Sequence, residues 1–293
     1  MNLVLTVLEI VAPVFILAGI GFTWVKLGFE YRIQFVTQLA MTLSVPCLIF
    51  TALMNTDISP QALTTVSLAT VTAYAAVTLA ALGVVLLARL EIRTYLAPVI
   101  FGNTGNLGLP LALFAFGQEG LGYAVVIFAI MGVYSFTFGV WLVSGGGSVL
   151  KVVKEPLVGA TLLGALFLWK DWQTPVFVTH TLELIGQMAI PLMLITLGVA
   201  VARLEPGRLG RAVWLSLVKV VVCIAIAWGI GLWFGLAPVP LAVLILQLST
   251  PVAVTSYLLA EKYGAHSDAV AGLVVVSTLI SVGTIPLTLA FLI

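Results

Sequence analysis

Phe101-Gly-Asn-Thr-Gly-Asn-Leu-Gly-Leu-Pro-Leu111 lies in the middle of a membrane-length apolar stretch, and Gln247-Leu-Ser-Thr-Pro251 interrupts a second one. A helix facing lipid gains nothing from three glycines, two asparagines and a proline at its centre. Broken backbone at membrane depth persists only where protein or a water-filled cavity pairs the freed N–H and C=O groups. Two such interruptions at corresponding places in two halves of a chain point to a transporter's binding site.

The surrounding composition sets the solvent. The chain of 293 residues is 62% hydrophobic and 8% charged, with a mean hydropathy of +1.24. Soluble domains carry about 25% charged residues, so the chain is read as an integral membrane protein. Apolar runs predict ten spans, at 3–27, 33–54, 62–88, 95–117, 121–143, 152–169, 176–202, 211–234, 239–261 and 267–292, each close to the roughly 20 residues a bilayer requires. The first, Leu3 to Leu27, lacks a basic leader and a small-residue cleavage site, and is expected to be retained. Cys47 and Cys223 both fall inside spans and are read as small buried hydrophobes. A formal net charge of +1 gives no electrostatic case for a nucleic-acid partner.

Basic residues orient the spans. Lys26, Arg32, Arg89, Arg93, Lys151, Lys154, Arg203, Arg208, Arg211 and Lys262 all fall in or beside alternate connections, and they are ten of the twelve Lys and Arg. Positive loops stay in the cytoplasm. The expectation is a multi-pass cell (inner) membrane protein with both termini outside.

The chain also resembles itself. Ser44-Val-Pro46-Cys-Leu-Ile-Phe-Thr51 matches Ala189-Ile-Pro191-Leu-Met-Leu-Ile-Thr196 at an offset of 145, and at an offset of 141 Asn106 falls on Gln247 and Pro110 on Pro251. Halves of five spans each, 1–145 and 146–293, must enter the membrane in opposite senses. The fold expected is therefore all-α: ten transmembrane helices as two inverted five-helix repeats, with broken crossing helices 4 and 9.

The interruptions suggest their own chemistry. Proline is favoured at the first position of a helix, where its missing N–H costs nothing. Ser249 and Thr250 ahead of Pro251 read as an N-cap for a new half-helix, and Pro110 plays the same part behind Gly105 and Gly108. Half-helix N-termini favour anions. Asn103, Asn106 and Gln247 add uncharged amides, and with no lysine or arginine expected at the site a carboxylate can both bind and leave. The candidate substrate-binding residues are Asn103, Thr104, Asn106, Gly108, Pro110, Gln247, Ser249, Thr250, Pro251 and Tyr134, with Ser135 and Thr137 near the last.

These same residues resemble the auxin efflux carrier family of the bile acid/sodium symporter-like superfamily. Gly102-Asn-Thr-Gly-Asn-Leu-Gly-Leu-Pro110 is similar to the family's first crossing motif, in which Asn103, Thr104, Gly108 and Pro110 recur. Ala189-x-Pro191-Leu-x-Leu-x-x-Leu-Gly198 resembles its seventh-helix pattern, and Ala260-Glu-Lys-Tyr263 the end of its ninth helix. The resemblance implies a scaffold of spans 1, 2, 6 and 7, a mobile transport domain of spans 3–5 and 8–10, a homodimer, and elevator-like or rocking movement of a midplane site. It implies small carboxylates as substrates, such as auxin in plants and malate or malonate in bacteria. Sodium-coupled relatives carry a glutamate in the second crossing helix. Leu246 to Pro251 has no carboxylate here, which weakens the case for sodium. The connection Ser144-Gly-Gly-Gly-Ser148 is short, as in the bacterial branch.

Ionisable residues inside the spans are candidates for coupling to a proton or sodium gradient. Glu183 is either a coupling carboxylate or an interfacial side chain. Lys219 either balances substrate charge or snorkels to the cytoplasm. His180 and His266 sit at span ends without the spacing of a metal site, and no cofactor is expected. The reading is a secondary carrier of small organic anions. The rivals are a sodium-coupled symporter of the bile acid type, a non-transporting sensor, a channel and an intramembrane enzyme. The last is disfavoured because Asp57, Asp171 and Asp268 lie in loops or at span ends.

Overall fold

The computed structural model describes residues 3–55, 58–145, 156–203 and 209–293. Asp57, Lys151, Lys154, Arg208 and the connection 146–148 lie outside the described residues. Among those described, regular structure is helical apart from one isolated antiparallel bridge, Gly102 with Val252.

Among the described residues, seven helical stretches are long and apolar enough to cross a membrane: Leu5–Lys26, Ile33–Met54, Gln61–Leu87, Thr104–Ser144, Val176–Arg203, Gly210–Trp233 and Ser267–Leu292. Gly159–Lys170 and Pro238–Ser249 are shorter apolar helices. The 41-residue stretch is two pieces, because Gly117 leaves helical geometry at φ 62°, ψ −153°. Large apolar side chains face outward on these helices, Leu87 at 88% exposure and Phe291 at 81%. Such a surface is a liability in water and the expected one in lipid.

In chain order the helices are α1 (Leu3–Lys26), α2 (Ile33–Leu39), α3 (Val45–Met54), α4 (Pro60–Leu87), α5 (Ile92–Ile100), α6 (Leu109–Tyr134) and α7 (Val140–Ser144). They continue with α8 (Pro156–Lys170), α9 (Val176–Gln187), α10 (Ala189–Arg203), α11 (Leu209–Trp233), α12 (Pro238–Ser249), α13 (Val254–Lys262) and α14 (Ser267–Leu292). Among the described residues, three five-residue π turns join neighbours: Ala40–Ser44, Thr104–Gly108 and Ser135–Gly139. The first two each end two residues before a proline, Pro46 and Pro110. Proline supplies no N–H to the carbonyl four residues back and its ring collides with that group. Widening the preceding turn relieves both problems, so the helix runs on instead of stopping.

α1 lies along α10 and also packs on α14 and α6, while α3 packs on both α8 and α9. The α1–α10 approach is close because both sides are glycine. A Cβ on Gly21 would lie 2.0 Å from the Ile195 carbonyl oxygen, and one on Gly198 would lie 1.7 Å from that of Ala18. Small residues at such crossings let backbones touch where lipid supplies no hydrophobic driving force. α11 packs against α4, α12 and α14, and α6 against α4 and α12. Arg93 ties the ends of α7 and α13, donating to the Val143 carbonyl at 2.9 and 3.2 Å and to the Tyr263 carbonyl at 3.1 Å.

Candidate functional site: a crossing of two broken helices

α5 stops at Ile100 and the helical run resumes at Thr104; α12 stops at Ser249 and α13 starts at Val254. The two extended breaks meet antiparallel. Asn103 N–H donates to the Pro251 carbonyl at 2.7 Å, and Ala253 N–H to the Phe101 carbonyl at 3.2 Å. Each break thus pairs the polar backbone groups that the other leaves open, which is what membrane depth demands. The approach requires glycine at one point, since a Cβ on Gly102 would lie 2.3 Å from Thr250 Oγ1.

This geometry corrects the expected roles of the prolines. Pro110 is not the first residue of a half-helix. The run begins at Thr104, with Asn103 as its cap, whose side-chain oxygen accepts from Asn106 N–H at 3.3 Å. Pro251 lies inside the extended break, and α13 starts after Ala253. Ser249 and Thr250 do not cap α13. Their hydroxyls turn back, to the Leu246 carbonyl at 3.0 Å and the Gln247 carbonyl at 2.7 Å, and so close the end of α12. Gly102 faces Val252 at the centre of the antiparallel pairing. The local signals were real, but the bridge, a contact across the molecule, selects which residues leave the helix.

Beside the crossing is a cavity of about 380 Å³, lined by Gly102, Asn103, Gly105, Asn106, Ala253 and Val254, and by Phe128, Met131, Ser135 and Phe136. Ile33, Thr37, Ala40 and Met41 complete it from α2 and the π turn that follows, Met193, Thr196, Ala200 and Arg203 from α10, and Thr255 and Tyr257 from α13. That volume falls within the range of small-molecule sites. All three π turns among the described residues contribute to its wall, and such turns concentrate at functional sites.

Only Asn103 and Asn106, of the ten substrate-binding candidates, line this cavity. Asn103 is 5% exposed, and its Nδ2 has no hydrogen-bond partner among the described residues. A buried, unpaired amide donor at a cavity wall is costly unless something accepts from it. Thr104, Gly108, Pro110, Gln247, Ser249, Thr250 and Pro251 are all buried but build the crossing behind the wall. Gln247 packs over Gly108, where a Cβ would lie 2.1 Å from Gln247 Oε1, and both polar atoms of its amide lack a described partner.

Tyr134 is placed elsewhere. Its hydroxyl pairs with Thr78 Oγ1 at 2.9 Å, its ring stacks on Phe138, and it lines a second cavity with Tyr74, Val133 and Thr137. Ser135 and Phe136, one and two residues on, face the crossing cavity, because each helical step turns a side chain by about 100°. Glu183 accepts from Asn55 Nδ2 at 3.2 Å and is not part of the cavity wall.

Lys219 takes one of the two placements that the sequence left open. It is 1% exposed and donates from Nζ to the Thr250 carbonyl at 3.0 Å. It points inward to the crossing and does not snorkel. The carbonyls ending a helix carry partial negative charge, so the ammonium sits at the favourable end of α12. Lys219 does not line the cavity. The cavity residues that sequence reasoning missed, chiefly Thr37, Phe128, Met193 and Thr196, carry no local signal beyond the Pro46 and Pro191 motifs close to some of them.

A family model described as a membrane transport protein matches residues 6–151 and again 142–289. The chain is 24% identical over 201 residues to a protein of Rhizobium meliloti (strain 1021) named "Putative malonate transporter", covering 63% of this chain and 62% of that protein. It is 29% identical over 192 residues to an uncharacterized transporter of Methanothermobacter thermautotrophicus, covering 63% of each. In both cases the chain spans less than two thirds of the relative's own length.

Proposed function

Because this chain belongs to the membrane transport protein family, that of the auxin efflux carriers, we propose that it is a secondary carrier of small organic anions, carboxylates above all. The observation that carries this reading is the Asn103 amide, buried and unpaired at the wall of a cavity that ends on the crossing. A carboxylate accepts from that amide and meets the N-terminal ends of the runs starting at Thr104 and Val254. Asn106 lies alongside. The remaining candidates act indirectly by holding the two breaks together.

In this reading the chain has ten spans in two inverted five-helix halves. Gly117 separates the fourth from the fifth, and α12 with α13 forms the ninth. The α1, α3, α8, α9 and α10 group is the scaffold, through which two copies pair. The group around α11 is the moving part and carries the crossing past the scaffold, so the cavity opens to one side at a time. With positive connections inside and both termini outside, the cavity opens toward the cytoplasm in this reading. It extends from the crossing to Ile33 and Arg203, which flank the first-to-second and seventh-to-eighth connections. Lys219 balances the charge of the anion across the crossing, and its buried ammonium is the group through which proton coupling acts. Glu183 is interfacial. A malonate-sized dicarboxylate heads the substrate panel because a relative bears that name.

The test is uptake of labelled malonate, malate and monocarboxylates into proteoliposomes under imposed proton or sodium gradients, with Asn103→Ala and Pro251→Ala alongside. Asn103→Ala removes the amide and is expected to weaken substrate about tenfold, the size of one lost hydrogen bond to a charged group. Pro251→Ala restores a backbone N–H at the break and lets α12 run on, abolishing flux. Saturable flux lost in both variants sustains the proposal. Flux driven by sodium alone would favour a symporter of the bile acid type. Binding without flux under every gradient would sink the carrier reading in favour of a sensor.

A further inference from the structure

Among the described residues that line the crossing cavity, Arg203 alone is charged. It is the last residue of α10 and is exposed. Its Nη2 donates to the Tyr31 carbonyl at 2.6 Å. Tyr31 is itself fixed. Thr196 Oγ1 places its own proton on the Leu192 carbonyl at 2.6 Å, so the Tyr31 hydroxyl, 2.7 Å away, donates to Thr196. The clasp anchors the guanidinium by one edge, and this bond uses one of its five N–H donors.

Met193 borders Gly105 at the crossing end. Arg203 is ten residues further along the same helix, about 15 Å at the usual rise. On that path a substrate meets Arg203, at the exposed end of α10, before it reaches Asn103. We propose that Arg203 is an anion-capture residue at the mouth of the cavity, drawing the substrate in before it reaches the crossing, with a preference for dianions. A single cation at the rim of a low-dielectric cavity focuses its field into that cavity and raises the rate of anion arrival. A rim charge acts on association and on salt dependence more than on final affinity. The doubly charged substrate feels twice the attraction of the singly charged one.

The inference rests on the carrier reading and is tested on reconstituted wild type, Arg203→Gln and Arg203→Lys. Initial rates with labelled malonate and propionate are measured over a range of substrate and salt concentrations. Arg203→Gln is expected to lower kcat/KM for malonate about threefold to fivefold, the range for an exposed charge, to lower it less for propionate, and to leave kcat unchanged. Raising salt is expected to lower kcat/KM of the wild type and of Arg203→Lys, and to have a smaller effect on Arg203→Gln. A merely structural role for the clasp would not move that salt slope. Wild-type flux with no salt dependence, or a Gln variant with unchanged kcat/KM and slope, overturns the inference and leaves the carrier standing. No flux in the wild type overturns the carrier reading and this inference with it.

Discussion

Gly108→Ala adds one methyl group at the tightest point of the crossing. The new Cβ would lie 2.1 Å from Gln247 Oε1, 2.7 Å from Cδ and 2.9 Å from Nε2. Gln247 is fully buried, so displacing its amide means repacking the crossing. Overpacking a tight interior costs about 1–3 kcal/mol, and an overlap with three atoms belongs at the upper end. Alanine returns about 1 kcal/mol of helix propensity relative to glycine. The net destabilisation is about 2 kcal/mol, a fall of roughly 4–8 °C in Tm at about 2–4 °C per kcal/mol. Intrinsic tryptophan fluorescence during heating in detergent reads this directly. The second arm is Gln247→Ala, which removes the colliding amide. In that background Gly108→Ala should cost less than about 0.5 kcal/mol, giving a coupling energy of about 2 kcal/mol, well beyond the additivity of independent sites. Transport should fail in the single glycine variant and recover in part in the double one. Additive effects, or an unchanged Tm in Gly108→Ala alone, would refute the packing argument.

Three further outcomes follow from the same geometry. Lys219→Met removes a buried ammonium whose described partner is the Thr250 carbonyl; flux should drop roughly tenfold or more while Tm holds or rises, because an isosteric apolar chain avoids the desolvation of a charge. Arg93→Ala deletes the donor to the Val143 and Tyr263 carbonyls and should lower stability by about 1 kcal/mol, a charged hydrogen bond discounted for exposure, without changing substrate affinity in a binding assay. Burial holds the Tyr31 phenol above its ordinary value of 10.0. A raised folded-state value means the neutral form is favoured, so its stabilisation is complete below pH 10 and fades as pH climbs through the folded value. Comparing wild type with Tyr31→Phe in thermal scans should show a gap near 1 kcal/mol at neutral pH that narrows only in the alkaline range.

Some of this was legible in the chain alone and some was not, and the division follows the range of the forces involved. Hydropathy announces a membrane protein because the bilayer acts on every residue independently of its neighbours. Gly-Asn-Thr-Gly-Asn and Ser-Thr-Pro announce broken helices because helix propensity and proline sterics operate within four residues. Asn103 and Asn106 could be singled out for that reason. The break at 101–103, by contrast, is fixed by hydrogen bonds from Asn103 to Pro251 and from Ala253 to Phe101, and no local rule contains a partner about 150 residues away. Tyr134 turned aside for the same kind of reason, since Thr78 and Phe138 hold it. Lys219 left two placements open in the sequence, one toward the crossing and one toward the interface. Packing decided between them, because α11 lies against α12 and brings the Thr250 carbonyl within reach. Thr196 and Arg203 join the site only because α10 borders the cavity beside Gly105 and Asn106. The sequence by itself determined the solvent, the helices and where they were weak. Which weak points meet, and which side chains face the space between them, was decided by tertiary packing, because those contacts join residues that are remote along the chain.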